Sequence, residues 1–458
     1  MEKVTLKELV SSTKGKFIFG DPGSPVLNIS TDTRRIQQGD IFFALKGSNF
    51  DAHDFIVRAA EKGAGGLVIT KLTREIDRFF PNIPAIVVVE DTVRALGDFA
   101  GYYRKKLSPV VIGITGSSGK TTTKELIRSI LKNKAATLAS SKNYNNLIGL
   151  PLTIFNLEQQ HKYCILELGI SIPGEMDRLA GIASPDIGII TNIGSTHLQY
   201  MKTQEQVFRE KIKLLQILPE NGTAVINIDD PYLAGLIKDL KCKILTYGLT
   251  ENAVVRATCI RIEEEKTFFK LTLGKEVLEI NMPLPGRFNV HNALSAAAAC
   301  LALGIDGQSI KKGIEGCPPV EMRMERISLN SGAYLINDAY NANPESMRQA
   351  ISYFSESYPG RKKILVIGDM LELGGKSEDE HRALGDFLSG IDLEEIYLCG
   401  SMIKYAKENS KLKNSQYFPE QSEILVRLKQ KIDKNTVVLF KASRGMYFER
   451  FINNLVEH

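Results

Sequence analysis

A glycine-rich loop in the second quarter of the chain combines residue types that bind phosphate. The stretch VVIGITGSSGKTTTKELI, residues 110–127, reads as a buried strand, a turn with two glycines, and a helix that begins near Lys120. Glycines let the backbone turn tightly and point its N–H groups inward, the lysine adds positive charge, and Thr121 offers a hydroxyl to a metal ion. The spacing T-G-x-x-G-K-T is shorter than the strict phosphate-loop pattern, because Ile114 stands where that pattern has its first glycine. A purely structural turn is the alternative.

Two polar residues at predicted strand ends are candidates for a metal site. A nucleoside triphosphate brings magnesium, which prefers oxygen ligands. Glu167 ends the apolar run in YCILELG, where an unpaired carboxylate would be unfavourable, and His197 follows another apolar run in TNIGSTHL. Ligands gather at the carboxyl ends of parallel strands, so we expect both residues near the phosphates. A structural role is the alternative for each of them.

The segment EQVFREKIKLLQIL predicts a helix whose apolar stripe includes a lysine. The stripe consists of Val207, Lys211, Leu214, Leu215 and Leu218. Lys213 instead falls on the polar side with Arg209 and Gln216. Burial lowers the pKa of a lysine, and a neutral amine can react with carbon dioxide to form an anionic carbamate. A lysine whose stem is buried while its charge reaches water is the alternative for Lys211.

The strands that must position these side chains fall into three blocks. Residues 1–107 contain the short runs GDIFFAL, GGLVIT and AIVVVE between Gly, Pro and Asp turns. Residues 108–316 alternate helical segments with the runs PVVIGIT, YCILELG, PDIGIITNIG, GTAVINID and KCKILTYG. Residues 317–458 repeat that scheme with AYLINDA, KKILVIGD, EEIYLCG and TVVLFKA. This pattern predicts an α/β fold of three domains, with a mainly parallel central sheet.

Composition is typical of a globular protein and excludes several classes of function. Of 458 residues, 43% are apolar and 24% are charged, and the net charge of +5 comes without a basic, aromatic-rich stripe, so we expect no nucleic-acid partner. The run NALSAAAACLALGI is too short to span a bilayer, and the N-terminus lacks a signal-peptide pattern. The six cysteines form no C-x-x-C pair, which favours reduced core thiols. We expect a cytoplasmic monomer without a membrane span.

Further motifs resemble those of one enzyme family. They are NYNNLIGLPLT, HNALSAAAA, NDAYNANPESM, GDMLELG and KASRGM, and they are distributed over the second and third blocks. Together with the phosphate loop they resemble the Mur ligases, the ATP-dependent amide-forming enzymes of peptidoglycan synthesis, and among these the members that add D-alanyl-D-alanine. The resemblance implies an N-terminal mixed α/β domain that binds a uridine nucleotide, a central P-loop ATPase-like domain and a C-terminal Rossmann-like domain for the dipeptide.

The resemblance also implies a reaction and a set of nucleotide-binding and metal-binding residues. ATP would phosphorylate a carboxylate of a UDP-N-acetylmuramoyl-tripeptide, and the amine of D-alanyl-D-alanine would attack the acyl phosphate. The positions that match nucleotide-binding residues are Thr115, Gly116, Ser117, Ser118, Gly119, Lys120, Thr121, Thr122, Asn292, Arg323 and Asp338. Thr121 and Glu167 would serve one magnesium ion, and His197 and carbamylated Lys211 a second. Lys120, Glu167, His197 and Lys211 would be catalytic.

A second set of residues would bind the nucleotide-linked peptide. The segment STDTRRIQQGDIFFALKGSNFDAHDF resembles a uridine-nucleotide-binding segment, and NYNN supplies amide groups for the far end of the acceptor. The matching positions are Thr33, Arg34, Asn49, Asp51, His53, Asn143, Asn145 and Asn146. Without the resemblance, the first five are better explained as turn and cap residues.

Three positions depart from the family pattern, and two other functions stay open. Leu147 and Gln199 stand where relatives usually have Glu, and Ser295 replaces a frequent Asn, which affects substrate details rather than the reaction class. One alternative is another ligase of the superfamily, either an earlier Mur ligase or a folate-polyglutamylating enzyme. The other is a nucleotide-hydrolysing switch, which would need no amine acceptor.

Overall fold

The computed structural model describes residues 1–47, 50–72, 85–141, 143–408 and 412–456. Three β-sheets follow one another along the chain, each with its own helices, which confirms the predicted α/β class. No helix in the described part of the chain is long and apolar enough to cross a membrane.

The first sheet has five strands. They are β1 (Lys16–Phe19), β2 (Ile29–Ser30), β3 (Ile41–Phe43), β4 (Gly66–Ile69) and β5 (Ile86–Val88), accompanied by α1 (Leu6–Thr13), the 3₁₀ helix Ala52–Phe55, α2 (Ile56–Glu61) and α3 (Thr92–Leu107). The strand order is β1-β5-β4-β3-β2, and only the β1–β5 pair is antiparallel. Successive strand residues point to opposite faces, so Phe42 and Phe43 pack into different cores on the two sides of this sheet.

The second sheet has nine strands and carries the phosphate loop. Its strands are β6 (Val110–Thr115), β7 (Thr137–Ala139), β8 (Tyr163–Glu167), β9 (Ile187–Ile190), β10 (Thr223–Asn227), β11 (Lys243–Gly248), β12 (Val255–Ile262), β13 (Thr267–Leu273) and β14 (Glu276–Met282). Their order is β14-β13-β12-β11-β10-β9-β6-β8-β7. The pairs from β7 to β12 are parallel, as predicted, whereas β13 and β14 add an antiparallel extension that was not predicted.

The helices of this sheet include the segment that carries Lys211. They are α4 (Lys120–Leu131), α5 (Gly149–Ile154), α6 (Glu175–Ala183), α7 (Leu198–Met201), α8 (Gln204–Lys211), α9 (Lys213–Gln216), α10 (Pro231–Ala234), the 3₁₀ helix Gly235–Lys238, α11 (Arg287–Ala302) and α12 (Gly307–Glu315). The helical segment predicted over EQVFREKIKLLQIL is confirmed, although it is divided at Ile212 into α8 and α9. There the N–H of Leu215 bonds the Ile212 carbonyl three residues back, which tightens the turn. The predicted stripe is nevertheless buried, and Lys211 is only 1% exposed.

The third sheet has six strands. They are β15 (Glu325–Ser328), β16 (Tyr334–Asn337), β17 (Lys362–Gly368), β18 (Glu395–Cys399), β19 (Ser415–Phe418) and β20 (Thr436–Lys441). Its helices are α13 (Pro344–Glu356), the 3₁₀ turn Gly374–Lys376, α14 (Ser377–Ser389), α15 (Tyr405–Glu408), α16 (Gln421–Lys431), the 3₁₀ turn Arg444–Met446 and α17 (Glu449–Val456). The order β15-β16-β20-β17-β18-β19 is parallel except for the β15–β16 pair.

The order of the central strands determines where the polar side chains meet. β6 pairs with β8 on one side and with β9 on the other, all parallel, so Thr115, Glu167 and Ile190 lie at the same edge of the sheet. The loop after β6 leads directly into α4, whose N-cap is Gly119 with φ of +83°. The carboxyl ends of these strands therefore lie together at one edge of the sheet, as the sequence predicted.

Candidate active site

A cleft of about 800 Å³ opens at the carboxyl edge of the central strands. One wall comes from loops of the second sheet, and the other comes from residues of the third, including Arg323, Asp338 and Glu372. Among the described residues, none before Ser117 lines this cleft. The concave site is thus formed between the second and third sheets.

The phosphate loop forms the floor of the cleft. Its lining residues are Ser117, Ser118, Gly119, Lys120, Thr121 and Thr122, whereas the side chain of Thr115 is turned away and donates to the Leu168 carbonyl at 2.8 Å. Gly116 has φ of +146°, and a Cβ there would lie 1.9 Å from Oγ1 of Thr191. The loop is fastened to the end of β9 by the Ser118 N–H, which donates to Asn192 Oδ1 at 2.9 Å. Position 116 therefore requires glycine both for conformation and for space.

Lys120 is positioned at the first turn of α4 with its charge inside the cleft. Its Nζ donates to the Gly116 carbonyl at 2.6 Å, which closes the loop. Burial lowers the pKa of Lys120 to about 8, the charge of Arg323 acts in the same direction, and the charge of Glu167 opposes them. A bound polyanion would restore the preference for the charged amine.

Glu167 and Thr121 come together as the sequence predicted. The Thr121 hydroxyl donates to Glu167 Oε2 at 3.2 Å, while the buried Oε1 receives no hydrogen bond. Lys124, which the sequence analysis missed, lies on the same face of α4 one turn beyond Lys120. Its Nζ is 3.3 Å from Glu167 Oε1, and the lysine is itself 2% exposed. The carboxylate is therefore held between a hydroxyl and a buried cation.

This arrangement fits a magnesium ion that also binds a substrate. The described residues contain no group of three His, Cys, Asp or Glu side chains that would hold a metal by themselves. Magnesium usually keeps several waters and binds through one or two carboxylates plus substrate phosphates. The Glu167 carboxylate, whose Oε1 receives no hydrogen bond, and the Thr121 hydroxyl provide such an incomplete oxygen set beside the phosphate loop.

His197 lines the cleft at the start of α7. It has a left-handed backbone, with φ of +56°, and its Nδ1 lies 2.5 Å from Oε2 of Glu372 in the third sheet's loops. The neighbouring imidazole of His197 lowers the pKa of Glu372 despite the partial burial of the carboxylate. Glu372 belongs to GDMLELG, a motif that indicated the family but gave this residue no role. The contact could not be anticipated from sequence because it joins two sheets.

Lys211 is buried behind the cleft rather than in its lining. Burial lowers the pKa of its amine well below the usual value, and the nearby charge of Lys120 acts in the same direction. Within the described chain, no residue forms a hydrogen bond or ion pair with this amine. Glu210 is engaged elsewhere, accepting from the Gly174 N–H at 2.8 Å and pairing with Lys213 at 2.9 Å. The polar-side prediction for Lys213 is confirmed by these surface contacts.

Residues of the third sheet reach the phosphate loop directly. Arg323 donates from Nη2 to the Thr121 hydroxyl at 3.3 Å and stacks on the ring of Tyr340 at 4.1 Å. Asp338 accepts from Lys441 Nζ at 2.5 Å, and Lys441 is 3% exposed. Arg323 and Asp338 both line the cleft, whereas the role of Lys441, in the motif KASRGM, was missed by sequence reasoning.

Asn292 packs against the loop from α11. A Cβ at Gly119 would lie 2.2 Å from its Oδ1, and its Nδ2 donates to Asn289 Oδ1 at 3.0 Å. At the preceding position of the helix, His291 pairs through Nε2 with Asp229 at 3.0 Å. These polar groups form one end of the cleft.

The asparagines of NYNN reach the cleft, with one exception to their expected role. Asn143, Asn145 and Asn146 all line it. Asn146, however, uses its Oδ1 to accept the N–H groups of Ile148 and Gly149, at 3.1 and 2.8 Å, and so it also supports the start of α5. Asn143 is exposed, and its amide faces the open cleft.

The N-terminal candidates lie apart from the cleft and are paired with close neighbours. Arg34 forms an ion pair with Asp32 at 2.8 Å while its side chain is 80% exposed. Asp51 caps the following 3₁₀ helix, accepting from the His53 N–H at 3.0 Å, and the His53 ring accepts from the Thr70 N–H at 3.0 Å. Thr33 is buried at 8% exposure, and Asn49 lies outside the described residues.

Comparison with known proteins decides the family. The Mur ligase middle domain matches residues 114–300, and the Mur ligase, glutamate ligase domain matches residues 322–444. The UDP-N-acetylmuramoyl-tripeptide–D-alanyl-D-alanine ligase of Bacillus subtilis (strain 168) is 35% identical, over 100% of this chain and 99% of that protein. The chain belongs to the Mur ligase family.

Solved structures agree with this membership over the full length. A crystal structure of MurF from Acinetobacter baumannii has a TM-score of 0.93 and 32% identity, with 100% of both chains covered. The structure of MurF ligase from Thermotoga maritima in complex with ADP has a TM-score of 0.83 and 29% identity, covering 94% of this chain and 97% of that one. As a Mur ligase, the chain has the three-domain α/β architecture, and ATP is its nucleotide substrate.

The three departures from the family pattern occupy different environments. Gln199 lies in α7, where its backbone N–H donates to the Glu372 carbonyl at 2.9 Å. Leu147 packs against the apolar core beside the asparagines, and Ser295 is fully buried in α11. Among the described residues these three do not line the cleft. Their side chains therefore pack behind or beside its lining and do not form its surface.

Proposed function

We propose that this chain is an ATP-dependent ligase that joins D-alanyl-D-alanine to a UDP-N-acetylmuramoyl-tripeptide. The observation that carries the proposal is the meeting of Thr121 and Arg323 at 3.3 Å, which brings the phosphate loop and the third sheet onto one cleft. A hydrolysing switch needs only the loop, whereas a ligase must bring a second reactant to the transferred phosphate. Full-length relatives named for this activity support the same conclusion.

The loop residues and their neighbours bind ATP. The backbone N–H groups of Gly119 and of the first turn of α4 surround the β- and γ-phosphates, as helix N-termini favour anions, while the N–H groups of Ser117 and Ser118 bond Asn192 and hold the loop in place. Lys120 neutralises charge on the group being transferred. Asn292 lies at the adenine end, and Arg323 and Asp338 contact the nucleotide from the third sheet.

Magnesium would be held by the oxygen ligands beside the loop. Thr121 and Glu167 would serve one ion, and His197 and carbamylated Lys211 would serve a second. The low pKa and the unpaired amine of Lys211 favour carbamate formation, because only the neutral amine reacts with carbon dioxide. Bound magnesium screens the repulsion between a carboxylate and the γ-phosphate.

The chain's own groups then organise two transfers. The carboxylate of the tripeptide attacks the γ-phosphorus and ADP leaves, with Lys120 and Arg323 stabilising the charge on the phosphoryl oxygens. The dipeptide amine attacks the acyl carbon, phosphate leaves, and the nitrogen loses a proton as the amide forms. The third domain presents this amine and excludes water, which would otherwise hydrolyse the acyl phosphate.

The nucleotide-linked end of the acceptor binds the N-terminal domain. Thr33, Arg34, Asn49, Asp51 and His53 hold the uridine nucleotide, and the amides of Asn143, Asn145 and Asn146 bind the peptide end. The exposed guanidinium of Arg34 supports a role in binding an anion, because its exposed ion pair with Asp32 contributes little stability.

The domain boundaries and cellular context follow from the same proposal. We place the domains at 1–107, 108–316 and 317–458, with the boundaries after the end of α3 and after the end of α12. The enzyme acts in the cytoplasm as a monomer, on small-molecule substrates.

An acceptor screen tests the proposed function. ATP cleavage is measured with UDP-muramoyl peptides in the presence of D-alanyl-D-alanine, of single amino acids, or of no amine. Folate with glutamate is tested as a separate pair of substrates. Rapid cleavage only with the tripeptide and the dipeptide is expected. Turnover with a single amino acid would identify another ligase of the superfamily, and equal phosphate release without any amine would identify a hydrolase.

A further inference from the structure

We propose that Glu372 is a positioning residue that orients the imidazole of His197 from the opposite side of the cleft. The inference rests on the proposed assignment of His197 as a metal ligand. The carboxylate of Glu372, from a loop of the third sheet, would hold the His197 ring in its metal-binding orientation. The metal-binding end of the cleft would then depend on both sheets.

The two side chains lie side by side in the cleft. Oε2 of Glu372 lies 2.5 Å from Nδ1 of His197, outside the angular range of a hydrogen bond, and both residues line the cleft. A carboxylate beside Nδ1 favours the tautomer that carries the proton on that nitrogen. The other ring nitrogen, Nε2, is then the unprotonated one, which is the form that binds a metal ion.

The backbone holds the two residues in register. The Gln199 N–H donates to the Glu372 carbonyl at 2.9 Å, and a Cβ on Gly374 would lie 2.8 Å from the Gln199 Cα. His197 and Glu372 both have left-handed backbones, with φ of +56° and +64°. Non-glycine residues adopt this conformation only when the surroundings impose it, and such residues cluster at functional sites.

The loop that carries Glu372 is anchored firmly in the third sheet. At its start, Asp369 accepts from the N–H groups of Met402 and Ile403 at 3.0 and 2.7 Å. The buried ring of His381 accepts from the Met370 N–H through Nε2 at 3.0 Å and contacts the Ser377 carbonyl through Nδ1 at 2.6 Å. The loop therefore moves with the third domain, and Glu372 reaches His197 only when that domain is against the central one.

Partners of this kind fix the tautomer and ring orientation of a metal-binding histidine. Their removal lowers metal affinity or activity by about 10- to 100-fold. A simple clamp between domains would instead lower affinity only by letting the domains separate. The two roles are therefore distinguished by measuring metal affinity and compactness on the same variants.

The test uses the full chain with saturating ADP and Mn²⁺ as the probe. Mn²⁺ affinity is measured by electron paramagnetic resonance for the wild type, Glu372→Ala, Glu372→Gln and His197→Ala. Glu378→Gln is the matched control, because Glu378 is an exposed acid in α14 that pairs with Arg382 at 3.2 Å and with Tyr405 and does not line the cleft. Solution scattering reports compactness, and ¹⁵N-labelled histidine reports which ring nitrogen of His197 carries the proton.

We expect Glu372→Ala to weaken Mn²⁺ binding by about 10- to 100-fold at unchanged compactness and to remove the Nδ1 proton signature of His197. The Mn²⁺ affinity of Glu372→Gln should lie between those of the wild type and Glu372→Ala, because a neutral amide oxygen is a weaker acceptor than a carboxylate oxygen. Glu378→Gln should match the wild type. Unchanged Mn²⁺ affinity in Glu372→Ala, or a loss that accompanies domain separation, overturns the inference while leaving the proposed function intact. Unchanged affinity in His197→Ala overturns the metal assignment itself, and this inference with it.

Discussion

The cleft and the N-terminal segment of residues 31–55 both contain polar residues that match family positions, yet they are built differently. In the cleft, Thr121 and Arg323 are 202 positions apart and meet at 3.3 Å. In the N-terminal segment, Arg34 pairs with Asp32 and His53 with Asp51, each only two positions away. Local turn formation accounts for the second pattern but not for the first. Convergence of distant residues is therefore the stronger structural sign of function.

The two regions also differ in whether their polar groups are buried without hydrogen-bond partners. Glu167 buries an oxygen that receives no hydrogen bond and has only the ion pair with Lys124 at 3.3 Å, and Lys211 buries an amine without a partner among the described residues. Such groups are unfavourable unless a ligand satisfies them. Arg34 is instead 80% exposed and pairs with Asp32 through Nε and Nη2, so a ligand can reach its guanidinium from solvent. Substitutions should therefore affect chemistry in the cleft and substrate affinity in the N-terminal segment.

The largest effect is expected at Lys120. Replacement by alanine should lower the rate of ligation by about 10²- to 10³-fold or more, because a charge aimed at the transferred phosphate is lost. The matched control is Lys132→Ala, at the exposed C-terminal end of the same helix, which should be unaffected. Steady-state kinetics and thermal unfolding measure both variants. Near-normal ligation by folded Lys120→Ala would remove the loop from the mechanism.

A second pair of variants compares buried and exposed lysines two positions apart. Lys211→Ala should lower kcat by about 100-fold and be partly restored by added short carboxylates, since these replace the carbamate. Lys213→Ala should change kcat little, because Lys213 forms ion pairs near the surface with Asp177 and Glu210. Activity retained in Lys211→Met would exclude the carbamate.

The pH dependence of ATP binding should report on the amine of Lys120. Its pKa is lowered to about 8, so the charged form is present below pH 8 and is lost as the pH rises through that value. The dissociation constant for ATP, measured by calorimetry without an acceptor, should rise about tenfold between pH 7 and 9. In Lys120→Arg the charge persists at every pH, and the rise should disappear. A wild-type dissociation constant that stays flat over this range would contradict the assignment.

The smallest effect is expected in the N-terminal segment. Arg34→Ala should raise KM for the nucleotide-linked peptide by about tenfold at unchanged kcat, because a hydrogen bond to a charged group is worth about 1.5–3 kcal/mol. Arg35→Ala is the neighbouring exposed control and should leave KM unchanged. A fall in kcat without a change in KM would place Arg34 in the chemistry and break the contrast between the two regions.

The sequence predicted most of the fold because buried parallel strands form continuous apolar runs. β6, β8 and β9 were recognised in this way, and their burial is nearly complete. Strand β12 and the antiparallel extension of β13 and β14 were missed, because their alternation of exposed and buried residues mixes charged with apolar positions. Burial of Lys211 was predicted correctly from helical spacing, although the break at Ile212 was not.

The site was predictable only where local patterns report on it. The phosphate loop and Glu167 follow strands directly, so their positions could be inferred from the chain itself. Lys124 and Glu372 could not be assigned roles, because each acts through a residue distant in sequence, Glu167 at 3.3 Å and His197 at 2.5 Å. Tertiary proximity of this kind leaves no periodic signal in one sequence.

In the proposed reaction the cleft transfers the γ-phosphoryl group of ATP to a carboxylate rather than to water. The most direct measurement uses UDP-N-acetylmuramoyl-tripeptide labelled with ¹⁸O in its reacting carboxylate, together with ATP and D-alanyl-D-alanine. Each phosphate released during ligation should carry one ¹⁸O from the acceptor, as seen by mass spectrometry. Released phosphate without ¹⁸O, formed alongside the amide product, would contradict the acyl-phosphate route.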